Sequence, residues 1–262
     1  MNRKITIVGL GPGGEDYLTL AAYKAITEGS NIYLRTLKHP IVSMFEDKGV
    51  CFKSFDDYYD KFQTFDQVYS NIAKEVIRLS SEGDVVYGVP GNPFVAEKTV
   101  ELILEAGESE TNLTIEIIHG ASFIDAIVTT LKKDPVNGLK ILDGLDLDTN
   151  MPEPTLDNLV IQVYNKTIAS EVKLKLMEVF DDEDEVIIVR AAGIPALEKI
   201  VIVPLYEMDM VDEYDHLTSI YISKIDAENR KKYFVNDLEK MMTTLRSIDG
   251  CPWDREQTHD SL

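Results

Sequence analysis

Three times along this chain an apolar run ends in a glycine or glycine–proline turn, and a helical pattern starts from that turn. The runs are KITIVGLGPGGEDYLTLAAYKAI (Lys4–Ile26), DVVYGVPGNPFVAEKTV (Asp84–Val100) and LTIEIIHGASFIDAI (Leu113–Ile127). Parallel strands need a crossover connection, usually a helix, so repeated strand–turn–helix units specify an α/β domain with a largely parallel sheet. Open sheets of this kind keep their ligands at the carboxyl ends of the strands, where all three turns fall. The pattern therefore predicts one crevice built from loops that are far apart in sequence.

The segments between these junctions fit the same scheme. Leu18–Glu28 places Leu18, Ala21, Ala22, Ala25 and Ile26 on one helical face, with Gly29 after it. NIYLRT and VCFKSF read as strands, Ile41–Lys48 as a short helix, and Asp56–Ser81 mainly as helix closed by Gly83. Helices are also expected over Val95–Ala106 and over Ser122–Lys132, the latter capped by Ser122. DGLDLDTNMPEPTLDN (Asp143–Asn158) is rich in Asp, Pro and Asn and lacks periodicity, which marks a domain boundary. Beyond it, LVIQVYN, EVIIVRAA, KIVIVPLYEM and HLTSIYISKI read as strands and Ala169–Phe180 as a helix. The expected division is an N-terminal α/β lobe (1–145), a smaller mixed α/β lobe with antiparallel pairs (146–226), and a last section (227–262) that begins as a helix.

Composition excludes several functions. A formal net charge of −20 opposes nucleic-acid binding, which needs a basic field. No apolar run reaches the roughly 18 residues of a membrane span. Cys51 and Cys251 have no nearby partner, which argues against a disulfide framework and for a reducing, cytoplasmic setting. The acidic run Asp181–Glu185 lies between a helix and a strand and reads as a solvated turn rather than a metal site. Tyr58, Tyr59, Phe62, Phe65 and Tyr69 have partly helical spacing and read as packing residues.

The first turn, Gly9-x-Gly11-x-x-Gly14, also satisfies the dinucleotide fingerprint. A nicotinamide site needs an acidic residue at the end of the second strand, and YLRTLKH offers Arg35 and Lys38 instead. Arginine there is compatible with a 2′-phosphate, so an NADP reading stays open. Pro12 removes a donor where backbone N–H groups would approach phosphate. A strand-to-helix connection whose glycines do no chemistry is the third possibility.

VGLGPGGEDYLTLAAYKAI, GVPGNPFVAEKT and HGASFIDA together resemble the landmarks of the tetrapyrrole methylase superfamily, in the family's order and across roughly residues 4–225. That family includes uroporphyrinogen and precorrin methylases and diphthine synthase. The resemblance implies a bilobal α/β fold, S-adenosylmethionine as cofactor in the cleft between lobes, a small-molecule substrate and a homodimer. Carried over, it implies that Leu10, Asn92, Val95, Ser122 and Phe123 line the cofactor site, with backbone near Val163 and Ala191 completing it. Many members read GDP where this chain reads Gly91-Asn92-Pro93, so a negative charge is absent here. No general base is nominated; His119 and Asp16, beside the third and first turns, are the candidates weighed. The key loops offer no Arg or Lys except Lys98, so the family name does not identify the methyl acceptor.

The tail LRSIDGCPWDREQTHDSL is similar to the opening of MazG-type nucleotide pyrophosphohydrolase domains. A methylase-like domain followed by MazG is the layout of YabN-like fusion proteins. The resemblance implies a fragment that stops before the hydrolase's metal-binding helices and lacks hydrolase activity of its own. A second reading is a non-catalytic module that binds a ligand or dimerises to regulate such a hydrolase.

Overall fold

The computed structural model describes residues 3–227, 229–258 and 261. The chain divides into two compact units, Met1–Asp134 with Ala191–Lys199, and Pro135–Arg190 with Ile200–Leu262.

The first unit contains β1 (Arg3–Gly9), α1 (Leu20–Thr27), β2 (Ile32–Leu34), α2 (Val42–Asp47), β3 (Phe52–Ser54), α3 (Asp56–Lys61), α4 (Phe65–Ser80), β4 (Val85–Val89), α5 (Lys98–Glu108), β5 (Leu113–Ile118) and α6 (Phe123–Leu131). Its strands form one sheet in the order β3-β2-β4-β1-β5, with every registered pair parallel. The central strands β1 and β4 are buried on both faces, which is why they read as continuous apolar runs. Alternation along them sends Ile5, Ile7, Val85, Tyr87 and Val89 to a core under α4 and α5. Val8 and Val86 point the other way, to a core with Ala22, Ile26 and Phe45 of α1 and α2. Helices thus cover both faces, as a parallel sheet requires.

The second unit contains β6 (Leu139–Asp143), β7 (Asp157–Ile161), α7 (Lys166–Val179), β8 (Glu185–Arg190), β9 (Lys199–Pro204), β10 (Thr218–Ile222), α8 (Val235–Leu245) and α9 (Pro252–Glu256). The sheet order is β6-β7-β10-β8-β9, with β6–β7 parallel and β10 antiparallel to both neighbours. Ile168, Val172, Leu176 and Val179 of α7 pack on its core.

Several boundaries differ from the sequence reading. The Asp- and Pro-rich stretch Asp143–Asn158 joins two strands of one sheet, because Leu139–Asp143 pairs with Asp157–Ile161. The first unit accordingly ends at Asp134 rather than 145, and Ala191–Lys199 returns to it. Buried Asn158 orders that stretch: its carboxamide accepts from the Glu153 N–H (2.9 Å) and donates to the Glu153 and Leu156 carbonyls. Asp56–Ser81 is two helices, since Thr64 caps a second one by accepting from the Gln67 N–H (3.3 Å). The last helix-forming section starts at Val235, not Ala227. His259, in the tail motif, lies outside the described residues.

Candidate functional site

The three turns meet at the carboxyl edge of the first sheet. Gly11 and Gly91 exchange backbone hydrogen bonds, 3.2 Å and 2.8 Å, tying the first turn to the second. Asn92 Nδ2 donates to the Gly120 carbonyl at 3.0 Å, tying the second to the third. Around these bonds the backbones approach so closely that only glycine fits. A Cβ on Gly9 would lie 2.5 Å from Gly120 N and 2.7 Å from Gly91 O, and one on Gly120 would lie 2.4 Å from Gly91 O. Gly9 is therefore a packing requirement between loops, and Gly11, at φ +79° against Tyr17, a requirement of its own loop. On the outer side there is room: Gly91 holds φ +67°, and a Cβ there would meet nothing within 4 Å.

The second turn departs from the sequence expectation of helix from Val95. Asn92 Oδ1 accepts from the Phe94 N–H at 2.9 Å, and the Val95 N–H bonds to the Asn92 carbonyl at 3.0 Å. This Asx-type turn, with Ala96 at φ +55°, postpones α5 to Lys98. The third turn follows expectation: Ser122 Oγ accepts from the Ile124 N–H (3.1 Å) while Asp125 accepts from the Ser122 N–H (2.7 Å), a capping box.

Each residue assigned from the resemblance can now be placed. Leu10, Asn92, Val95, Ser122 and Phe123 all belong to the three turns that meet. The Leu10 side chain is core, 1 % exposed among Val8, Ile26 and Leu34, so it offers only backbone to a ligand. The Asn92 and Ser122 side chains are spent on the bonds just described. Val95 and Phe123 are half-buried. Val163 is fully buried in the second unit's core, directly after Gln162 at φ +62°. Ala191 is buried at φ +52°. Non-glycine residues with positive φ are uncommon and gather at functional sites, and three of those here lie at or beside assigned positions. His119 and Asp16 are exposed.

Two further groups stand at these turns, His39 and Glu97 unweighed in the sequence and Arg35 weighed there only for a 2′-phosphate. His39 is buried, with Nε2 2.8 Å from the Gly11 carbonyl and Nδ1 accepting from the Ile41 N–H at 3.3 Å. Nε2 must then carry the proton, and the neutral ring fixes the first turn. Burial lowers its pKa below 6.5, the Gly11 carbonyl opposes that, and the Arg35 charge adds to it. The second group is an ion pair. Arg35 Nη1 lies 3.2 Å from Glu97 Oε2, and the Glu97 side chain is 3 % exposed. Glu97 Oε1 accepts from the Thr99 hydroxyl (2.6 Å), which lies 3.0 Å from the buried Tyr87 hydroxyl. A guanidinium already compensated by a carboxylate is a poor receptor for a 2′-phosphate, which removes the main support for NADP. Two open clefts of the first unit, of 280 and 430 Å³, are lined by Glu15, Leu18, Leu20 and Tyr23, where the first turn runs into α1, and by Tyr58, Phe62 and Arg78.

The model of the Tetrapyrrole (Corrin/Porphyrin) Methylases family matches residues 4–209. "Uncharacterized protein YabN" of Bacillus subtilis (strain 168) is 41% identical over 262 residues, covering 100% of this chain and 53% of that protein. The chain spans about half the length of the curated relatives it matches. Among solved structures, uroporphyrin-III-C-methyltransferase from Thermus thermophilus has a TM-score of 0.66 at 18% identity, over 86% of this chain and 93% of that one. The enzyme of that name and source complexed with S-adenosyl homocysteine has a TM-score of 0.62 at 19% identity, over 83% and 96%. At these identities the structures establish a shared fold.

Proposed function

The chain belongs to the tetrapyrrole methylase family, and from that premise we propose that its first unit binds S-adenosylmethionine at the three joined turns and transfers the methyl group to a small molecule. The observation that carries this reading is the convergence of Gly9, Gly91 and Gly120, whose backbones touch while the side beyond Gly91 stays open. That opening suits a ligand held by backbone groups. Backbone around Leu10, Asn92 and Ser122 and the half-buried Val95 and Phe123 would hold the cofactor. When bound, the cofactor supplies an electrophilic methyl on sulfur.

The chain's own contribution is alignment. In-line displacement depends on holding donor and acceptor in register, and rigid positioning supplies several kcal/mol of rate enhancement. Here rigidity comes from the Gly11–Gly91 pair, the Asn92 bridge and the His39 bond to Gly11. Isothermal calorimetry with S-adenosylhomocysteine tests the reading. Saturable binding with a one-to-one stoichiometry is expected, and absence of both heat and thermal shift overturns it.

Two finer points belong to the same proposal. The CPWD and QTH strings and the extra length of the YabN relative support a MazG-type pyrophosphohydrolase in the whole protein. The capture of both ends of the Asn92 carboxamide favours, as a second reading, a ligand-binding regulatory role without methyl transfer. Binding of S-adenosylhomocysteine without turnover on any acceptor, together with altered hydrolysis by the full-length protein, would select it.

A further inference from the structure

The larger open cleft lies between α3 and α4, and its 430 Å³ falls within the roughly 300–1,000 Å³ range of small-molecule sites. One wall is a single face of α4, where Asn71, Lys74, Glu75 and Arg78 recur three or four residues apart. The other wall comes from α3 and the residue after it. There the Tyr58 and Phe62 rings, 5.8 Å apart at 47°, are half-buried against the core. The buried Phe55 ring meets Tyr58 edge-on at 5.3 Å. The two rings therefore form a fixed aromatic platform at the cleft.

The lining carries three cations and one carboxylate, the reverse of a chain whose formal net charge is −20. Arg78 is spent: Nε and Nη2 each donate to a Glu75 oxygen at 2.8 Å, and Nη1 donates to Glu82 at 2.5 Å. The two lysines are available. Lys61 Nζ stands 5.5 Å from the Tyr58 ring centroid and 3.7 Å from Asp57, an exposed pair of a kind that contributes little. Lys74 is exposed and has no hydrogen-bond or ion-pair partner among the described residues. Asn71 adds an acceptor. Its Nδ2 donates to the Gln67 carbonyl at 2.8 Å, and turning the amide over would set Oδ1 against that oxygen. Oδ1 thus stays an acceptor, with no donor among the described residues.

An aromatic platform, a fixed acceptor and two ammonium groups suit a flat heterocycle that carries an amino group and a phosphate. We infer that this cleft binds a free adenine nucleoside monophosphate. The purine lies on Tyr58 and Phe62, its amino group donates to Asn71 Oδ1, and the phosphate sits between Lys61 and Lys74. Ammonium groups on flexible stems act on phosphate as point charges and need no fork geometry. The chain's net charge opposes the same groups presented on a nucleic-acid strand. The site shares no residue with the three turns and does not rest on the methyl-transfer reading.

Isothermal calorimetry on the 262-residue chain tests the assignment, with AMP as the probe. AMP is expected to bind saturably at one site. Adenosine, which lacks the phosphate, and IMP, which has a carbonyl in place of the amino group, should each bind about tenfold or more weaker. Lys74→Glu, an exposed substitution checked for native folding by circular dichroism, should reduce AMP affinity to the level of adenosine. Asn71→Ala should bring AMP and IMP to similar affinities, which a merely structural Asn71 would not do. Absence of saturable AMP binding, equal native affinity for IMP, or undiminished AMP binding by Lys74→Glu would each overturn the assignment. So would competition, because AMP displaced by S-adenosylhomocysteine would lie at the three turns instead. Failure of S-adenosylhomocysteine to bind, with AMP recognition intact, would sink the methyl-transfer reading and leave the nucleotide site standing.

Discussion

Substituting Gly120 by alanine tests the junction most sharply. The added Cβ would sit 2.4 Å from Gly91 O and 2.7 Å from both the carbonyl carbon and oxygen of Gly9. All three are backbone atoms, so no side chain can rotate away, and the nearest contact is about 1 Å too short for ordinary packing. Relief requires moving Gly91 or Gly9, which the Gly11–Gly91 pair and the β1–β4 register oppose. The cost should lie at the top of the overpacking range, about 3 kcal/mol. That corresponds to a Tm lowered by about 6–12 °C in a protein of this size. Gly14→Ala is the control, with φ −79° and nothing within 4 Å of its Cβ, and should stay within about 0.5 kcal/mol of the native chain. Urea denaturation gives the stabilities, and calorimetry with S-adenosylhomocysteine should show at least about a tenfold loss for Gly120→Ala alone, since 1 Å displacements at a site are expensive. If Gly120→Ala matches Gly14→Ala in both assays, the three turns do not form one rigid junction.

The other predictions follow from single contacts. Asn92→Asp removes the donor to the Gly120 carbonyl and sets a carboxylate against that oxygen, so a loss of about 1–3 kcal/mol is expected in thermal unfolding; an unchanged Tm would show that the bridge is dispensable. Ser122→Ala removes a helix cap and should cost about 1 kcal/mol with little change in S-adenosylhomocysteine affinity, whereas a large affinity loss at native stability would make Ser122 a direct ligand contact. His39 should make stability fall on mild acidification. Its folded pKa lies below 6.5, so the unfolded chain takes the proton first; the stabilisation is complete above pH 6.5 and declines below it, down to the folded value. His39→Gln, which retains a donor for Gly11, should flatten the stability profile below pH 6.5, and an unchanged slope would place the sensitivity elsewhere.

The elements of the first unit were largely legible because the central strands are buried on both faces and the longer helices carry apolar stripes. Those signals are local, and the three turns that close them have glycine and proline at fixed places. What escaped depends on pairing partners. Leu139–Asp143 is a short run followed by an Asp-rich stretch, and only its register with Asp157–Ile161 makes it part of the second unit. The delayed start of α5 comes from the Asn92 side chain, which competes with helical hydrogen bonds for the Phe94 N–H. At the site, the sequence located the turns and the Ser122 cap but not the work of the other side chains: Leu10 is core and Asn92 is a bridge. Arg35 was visible as a basic residue at a strand end, yet its partner Glu97 lies across two strands and a turn, and His39 looks like any loop histidine until Gly11 is placed against it.

A crystal structure of the chain soaked with S-adenosylhomocysteine tests the central claim most directly. Density for the ligand against the backbone of Gly91, Asn92 and Ser122, with Gly9 and Gly120 unmoved, is the expected result. Ligand density away from these turns, or none at saturating concentration, would contradict the assignment of a methyl-donor site to this junction.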